Sequence, residues 1–319
     1  MLHLVCLFIT LVLQSVPAQA NPGFDHWVAG LKAEATVHGI SSSLFDEAFR
    51  DVEPIPRVLE LDRNQPESTM TFAEYQEHIV STTRIERGRQ MMAQYRELLQ
   101  EVGAFYGVPP RFIVALWGIE TNYGSNTGGF NTIAALATLA YDGRRSSYFR
   151  KELLNALEIL EEGHSSALRM KGSWAGAMGQ SQFMPSSFLR FAVDYDGDGR
   201  KDIWATQADV FASAANYLSR SGWREGENWG RPAKLPPGFN TRYATLKIRK
   251  PLQIWHQHGV RRANGRNLPQ VNMKGSIVLP DGTKDPAYLV YDNFRVILKW
   301  NRSTYFATSV GLLADAIVQ

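Results

Sequence analysis

From residue 24 to about residue 160 the apolar positions recur with helical spacing. Segments 24–38, 43–52, 72–106, 110–122, 132–141 and 148–162 carry this period and are predicted as helices. Pro109 and Pro110 suit the first turn of the fourth segment, and Gly124 lies just beyond its end. Between Gly172 and Ser187 the period is lost and Gly, Ser and Met dominate, which predicts an ordered loop entering a short helix after Pro185. Segment 207–219 is a further helix. Residues 228–299 change character: they alternate, hold β-branched and aromatic residues, and are broken by Pro and Gly. Residues 277–279, the turn Pro280-Asp281-Gly282 and residues 288–291 read as a hairpin, with 246–248 and 294–298 as further strands. Residues 303–317 form a last helix. No internal repeat occurs. The pattern predicts an α+β, mainly helical chain: a helical body over about 21–227 and 300–319, and a small β insertion over about 228–299.

The N-terminus has its own pattern. Leu2 to Val16 are almost entirely apolar and uncharged, and Pro17-Ala18-Gln19-Ala20 gives an A-x-A site before Asn21. This predicts a secretory signal peptide over residues 1–20, cleaved after Ala20, with an uncleaved anchor as the alternative. The start lacks the usual Lys or Arg, but the apolar run is shorter than the ~18 residues a membrane span needs. No later segment reads as membrane-spanning, so the mature chain is expected to be soluble and exported.

Composition removes several functions. Cys6 is the sole cysteine, so an intramolecular disulfide and Cys-based metal sites are excluded. The 34 basic residues exceed the 31 acidic ones only slightly and are scattered, which gives no basic stripe for nucleic acid. There is no H-E-x-x-H, no G-x-S-x-G and no phosphate loop; His256 and His258 stand alone and read as surface or loop residues. No organic cofactor is expected.

Glu120 is the most informative side chain. It follows Phe112-Ile113-Val114-Ala115-Leu116-Trp117-Gly118-Ile119, a run apolar on all sides and hence a buried helix. Its helical neighbours Leu116, Trp117, Tyr123 and Gly124 include no cation. Burial and the negative end of the helix dipole both disfavour the charged carboxylate, and a carboxyl kept protonated can act as general acid on a leaving oxygen. The alternative is a Glu that emerges into solvent as the helix ends, or that pairs with a distant Arg. The polar exit Thr121-Asn122-Tyr123-Gly124 suits a cleft wall.

Asp194-Tyr195-Asp196-Gly197-Asp198-Gly199 matches the first six positions of an EF-hand loop, with side-chain oxygens at positions 1, 3 and 5 and the turn glycine at 6. Arg200 would offer its backbone carbonyl. Ala205 stands at position 12, so Asp209 at the start of the next helix is the acid that would close a longer, variant loop. A structural Ca2+ site is expected; a solvated acidic turn salt-bridged to Arg200 or Lys201 is the alternative.

Together these segments resemble the lytic murein transglycosylase B family over nearly the whole mature chain. The resemblance rests on Trp117–Gly124, on Leu136-Ala137-Thr138-Leu139 with Arg144-Arg145, on Gly172–Ser187, on Asp194–Asp202 with Asn216-Tyr217, and on Asn293-Phe294 and Asn301–Tyr305. It implies a lysozyme-like core with a calcium loop, and a periplasmic enzyme that cleaves the β-1,4 bond between N-acetylmuramic acid and N-acetylglucosamine in peptidoglycan. It implies Glu120 as the single catalytic acid/base. Ser173, Gln182, Tyr217, Asn301 and Tyr305 would line the sugar cleft, Tyr75 and Tyr123 would join them, and Arg144 and Arg145 would meet the peptide or lactyl groups. Trp300 departs from the family pattern, where Tyr is expected, and no room is left for a C-terminal wall-binding module. With no second carboxylate on a comparable helix, the 2-acetamido group would assist and the muramic 6-hydroxyl would close onto C1 as a 1,6-anhydro ring. A hydrolytic muramidase of the same fold and a non-catalytic wall-binding scaffold are the alternatives. The chain is expected to be a monomer acting on glycan strands, with cell-wall synthesis enzymes as possible partners.

Overall fold

The computed structural model describes residues 22–64, 70–282 and 286–319; the signal peptide expected over 1–20 lies outside the described residues. The chain opens with α1 (Pro22–Val37), α2 (Ser42–Ala48), α3 (Pro56–Arg63), α4 (Phe72–Ile79), α5 (Thr82–Gln94), α6 (Arg96–Tyr106) and α7 (Pro110–Thr121). Strand β1 (Phe130–Asn131) leads into α8 (Thr132–Tyr141) and α9 (Ser146–Glu161), and β2 (Lys171–Gly172) pairs back onto β1. Then come α10 (Pro185–Phe191), α11 (Gln207–Arg220), β3 (Gly230–Lys234), β4 (Lys250–Pro251), α12 (Leu252–Gln257), β5 (Arg261–Arg262), β6 (Lys274–Val278), β7 (Ala287–Val290), α13 (Asp292–Trp300) and α14 (Thr304–Ile317).

The mainly helical α+β class is the one the sequence predicts. Four local expectations need correction. The span 72–106 is three helices rather than one. Thr71 and Glu74 close a capping box at the start of α4, and the Ser81 side chain accepts from Arg84 N to start α5 afresh after Val80. Residues 294–298 are helical, not extended. In α13 Phe294, Val296 and Ile297 face the core while Lys299 faces solvent, and Asp292 sits in the first turn, where the helix dipole favours an acid. Residues 246–248 form no strand; the nearby strand is β4. The helices α3 and α12 lie in stretches where no helix was expected.

Strands β3 to β7 form one antiparallel sheet in the order β4-β6-β7-β3-β5. The expected hairpin is β6–β7, with Ile277 opposite Leu289 and Val278 opposite Tyr288. Alternation sends the two faces to different cores. Val278, Tyr288 and Val290 join the large core of α6, α7, α11 and α14, while Ile277, Leu289 and Tyr291 close a small core with Leu252 and Trp255 of α12. A second large core holds α1, α2, α8, α9, α10 and the Met178–Phe183 loop. Trp300 packs against both large cores, at the seam between them.

Where helix and sheet meet, Gly311 of α14 lies against Trp229; a Cβ there would stand 2.1 Å from Trp229 Cδ2. The indole cannot withdraw, because it is fully buried and its Nε1 donates to Asp315 Oδ2 at 2.9 Å. Gly311→Ala should lower stability by about 1–3 kcal/mol through overpacking, read as a lower thermal midpoint. No single helix among the described residues is long and apolar enough to cross a membrane.

Candidate active site

Glu120 sits in the last turn of α7, half-buried, beyond a helix whose residues 112–118 are all buried. The chain then leaves the helix through three successive left-handed residues, Asn122 (φ 49°), Tyr123 (φ 59°) and Gly124 (φ 78°). That conformation is costly for a large aromatic. It is held by Tyr123 itself, which folds back under the helix and donates its hydroxyl to Arg84 O at 2.7 Å. The side chain fits because Gly88 and Gly118 lack Cβ atoms that would stand 2.6 Å from its hydroxyl oxygen and its Cζ, respectively. Tyr123 is 4% exposed, and burial raises its hydroxyl above the ordinary tyrosine value. Tyr123, expected from the sequence as a cleft residue, is thus buried and props the turn from beneath.

The same turn is fastened from the other side by the loop 172–187. Gln180, 6% exposed, accepts from Trp117 Nε1 at 2.8 Å and donates to Trp204 O at 2.9 Å. Its carbonyl accepts from Thr121 Oγ1 at 2.9 Å. The residues flanking Glu120 are thus tied to a loop more than fifty residues away in sequence, by bonds that are buried and so sensitive to any lost partner. Sequence reasoning took the loop as a unit and missed Gln180.

Trp300, the last residue of α13, donates Nε1 to Glu120 Oε1 at 2.7 Å. Its ring lies 4.7 Å from that of Tyr217 and 5.2 Å from that of Phe183. Glu120, Trp300, Leu116, Phe211 and Ser181 wall a small cavity. The Ser181 hydroxyl is buried without a hydrogen-bond partner among the described residues.

The other expected cleft residues fall into different settings. Tyr217 is 8% exposed and spends its hydroxyl on Lys299 O at 2.6 Å, so it supports Trp300 rather than offering an open face. Ser173 Oγ accepts from Ala177 N at 3.1 Å, closing its own loop. Gln182, at φ 48°, donates Nε2 to Thr127 O and Gly179 O. Asn301 is exposed and its Oδ1 accepts from Ser303 N at the start of α14. Tyr305 donates its hydroxyl to Asp281 Oδ1 at 2.5 Å, and its ring lies 5.6 Å from that of Tyr75. That hydrogen bond, with burial second, pushes the Tyr305 hydroxyl up to about 12. Asp281 also accepts from Phe72 N at 2.8 Å, so a hairpin turn residue pins both α4 and α14; the sequence showed it only as a turn. Arg144 and Arg145 both bind the carboxylate of Asp62, a residue 3% exposed. Each arginine side chain keeps about half its surface in solvent.

In the acidic loop, carboxylate oxygens of Asp194, Asp196 and Asp209 lie within 4.8 Å of one another. Asp209 is fully buried at the start of α11 and accepts from Tyr195 N and Asp202 N, each at 2.7 Å. Burial raises its carboxyl above the ordinary range, against the lowering effect of those bonds. Asp194 accepts from the amides of Gly197, Asp198 and Gly199. Asp198 stands outside the cluster, with both oxygens held by Arg200, whose hydrogen bonds keep that carboxyl below its ordinary value. The side chains that converge are therefore Asp194, Asp196 and Asp209.

A family model described as "Transglycosylase SLT domain" matches residues 23–315. The chain belongs to the transglycosylase SLT family. It is 31% identical over 302 residues to the membrane-bound lytic murein transglycosylase B of Escherichia coli, covering 88% of this chain and 79% of that relative. Among solved structures it superposes on SltB3 of Pseudomonas aeruginosa in complex with NAG-anhNAM-pentapeptide, with TM-score 0.90, 46% identity, and 93% and 80% of the two chains covered. It also matches Escherichia coli Slt35 in complex with calcium, with TM-score 0.78, 29% identity and 93% of each chain covered. The fold is thus the lysozyme-like fold of these enzymes, and the chain is a peptidoglycan lytic transglycosylase, a glycan-cleaving lyase. In this SLT enzyme Trp300→Phe would keep the packing and remove the bond to Glu120. If Glu120 is the acid/base, the turnover number should fall about tenfold at similar KM, because the bond is to that carboxyl rather than to bound sugar. An unchanged turnover number would remove Trp300 from the reaction.

Proposed function

We propose that Glu120 is the single acid/base of this transglycosylase and that it acts twice in each turnover. The observation that carries this is the position of its carboxylate: half-buried at the end of an apolar helix, with Oε1 fixed by Trp300. In this reading the Glu120 carboxyl enters the cycle carrying a proton. Glu120 donates that proton to the glycosidic oxygen as the bond to C1 of N-acetylmuramic acid breaks. The substrate's 2-acetamido oxygen covers the charge that develops at C1. The 6-hydroxyl of the same muramic unit then attacks C1 and gives its proton to the Glu120 carboxylate. The product is a 1,6-anhydro end, Glu120 is restored, and no water is consumed. The apolar wall of Leu116, Phe211 and Trp300 keeps competing water away.

Ser173, Gln182, Asn301, Tyr305 and Tyr75 form the sugar-binding set in this reading, with Tyr217 acting through Trp300. Arg144 and Arg145, half in solvent around Asp62, face anionic groups of the stem peptide. The cluster of Asp194, Asp196 and Asp209 is a structural Ca2+ site: it offers hard oxygen donors close enough to share one ion, and the ion would relieve their mutual repulsion. Asp198 and Arg200 serve as the rim that shapes the loop. The Slt35 complex with calcium supports this choice of metal. Residues 21–319 form one catalytic unit with a β-rich insertion, exported to the periplasm after removal of residues 1–20, and active as a monomer on glycan strands.

Digestion of isolated sacculi by the wild type and by Glu120→Gln, with and without a calcium chelator, tests the reading. The wild type should release anhydro-ended muropeptides and the variant none. Release by the variant at the wild-type rate would remove Glu120 from the chemistry.

A further inference from the structure

We propose that the β-rich insertion carries a second, non-catalytic site for an uncharged stretch of glycan. A groove of about 510 Å³ lies between α12 and residues 267–272, beside the sheet-edge strand β4. This is within the size range of small-ligand sites. Its polar wall consists of Gln253, Gln257, Asn267, Gln270, Asn272 and His256, and among the described residues no carboxylate, ammonium or guanidinium group lines it.

That lining selects a class of ligand. Side-chain amides each donate and accept hydrogen bonds without net charge. They match the hydroxyl and acetamido groups of N-acetylhexosamines. An acidic stem peptide would bring carboxylates that find no cation in the wall. The rest of the lining is apolar, with Pro269 and Val271 rising from it, and Val271 is 52% exposed. Such a ledge fits the C–H face of a pyranose ring.

The groove is built on a rigid floor. Leu252 and Leu268 belong to the small core below, and Trp255 donates Nε1 to Gly275 O at 2.8 Å. Leu252 N donates to Met273 O at 3.0 Å, tying helix to sheet. A preformed site loses little conformational freedom on binding. None of its lining residues walls the Glu120 cavity. Two holds on one polymer raise apparent affinity without any new contact at the reacting bond. This inference rests on the peptidoglycan reading and assigns the insertion a task within it.

The test uses the full chain carrying Glu120→Gln, isotopically labelled, with the uncharged trimer of N-acetylglucosamine and, separately, an acidic stem pentapeptide as NMR probes. The trimer should shift amides of residues 252–257 and 267–272, and the pentapeptide should not. Adding Gln253→Ala and Asn272→Ala should abolish those shifts while trimer shifts around residue 120 persist. In the active enzyme the same pair should leave turnover of a short soluble muropeptide and the thermal midpoint unchanged. Turnover of intact sacculi should fall about tenfold. Trimer shifts confined to the surroundings of residue 120, groove shifts that survive the double variant, groove shifts with the pentapeptide only, or unchanged turnover of sacculi would each overturn the second site. Turnover of the soluble muropeptide reports separately on the catalytic reading.

Discussion

Glu120→Gln should lower turnover of peptidoglycan by about a thousandfold or more, the upper range for removal of a general acid/base. Glutamine keeps the shape and can still accept from Trp300 Nε1, so the bond at the end of α13 survives. What is lost is the transferable proton, needed once at the leaving oxygen and taken back once from the 6-hydroxyl. The variant should bind sacculi normally and melt within a degree or two of the wild type. Its thermal midpoint and its sedimentation with sacculi therefore separate a chemical defect from a structural one. A variant that unfolds early would make residue 120 a packing residue.

Asp209→Ala should have the largest effect on stability. The Asp209 carboxylate is fully buried and satisfies two backbone amides, of Tyr195 and Asp202, that fix both ends of the acidic loop. Alanine leaves both donors without acceptors, the Asp202 amide in a buried and the Tyr195 amide in a part-buried position, a loss of roughly 2–5 kcal/mol. Thermal unfolding should show a clear drop in midpoint even with chelator present. The wild type should gain about 2.7 kcal/mol when calcium stands at a hundred times its dissociation constant, and the variant should gain nothing. The pH dependence of the chelated protein has a definite sign. Burial raises the folded-state carboxyl of Asp209 above its ordinary value. Its contribution is therefore fully present below the unfolded value of about 4 and is lost as pH rises through the folded value. The stability difference between chelated wild type and Asp209→Ala should shrink between pH 4 and pH 7; growth over that interval would mean the amide bonds outweigh burial.

Much of this was legible in the sequence because the signals were strong where burial was complete. The helix ending at Glu120 is apolar on every side, so its existence and burial followed from composition alone. The nearness of Asp209 to Asp194 and Asp196 could be anticipated because it is the carboxylate in the first turn of the next amphipathic helix. The misreadings have local causes. The run Phe294-Arg295-Val296-Ile297-Leu298 is short and β-branched, and its helical character comes from packing one stripe into the large core. The breaks at Val80 and Tyr95 leave the apolar period intact, so a continuous pattern hid three helices. Tyr123 was expected in the cleft, and no sequence pattern announced its burial. The left-handed backbone at Asn122 and Tyr123 turns its ring inward, onto two glycines that no local pattern connects to it. Gln180, Asp281 and the Trp300–Glu120 bond all join segments distant in sequence. Such long-range polar pairs leave no periodic trace.

The most direct measurement of the central claim is isotope incorporation during cleavage of sacculi in heavy-oxygen water. If the 6-hydroxyl of the sugar attacks C1 and Glu120 shuttles the proton, the newly formed muramic ends carry only natural oxygen and have lost the mass of one water relative to reducing ends. Ends that carry one heavy oxygen, formed at the rate of bond cleavage, would mean that water attacks C1 and would contradict the account.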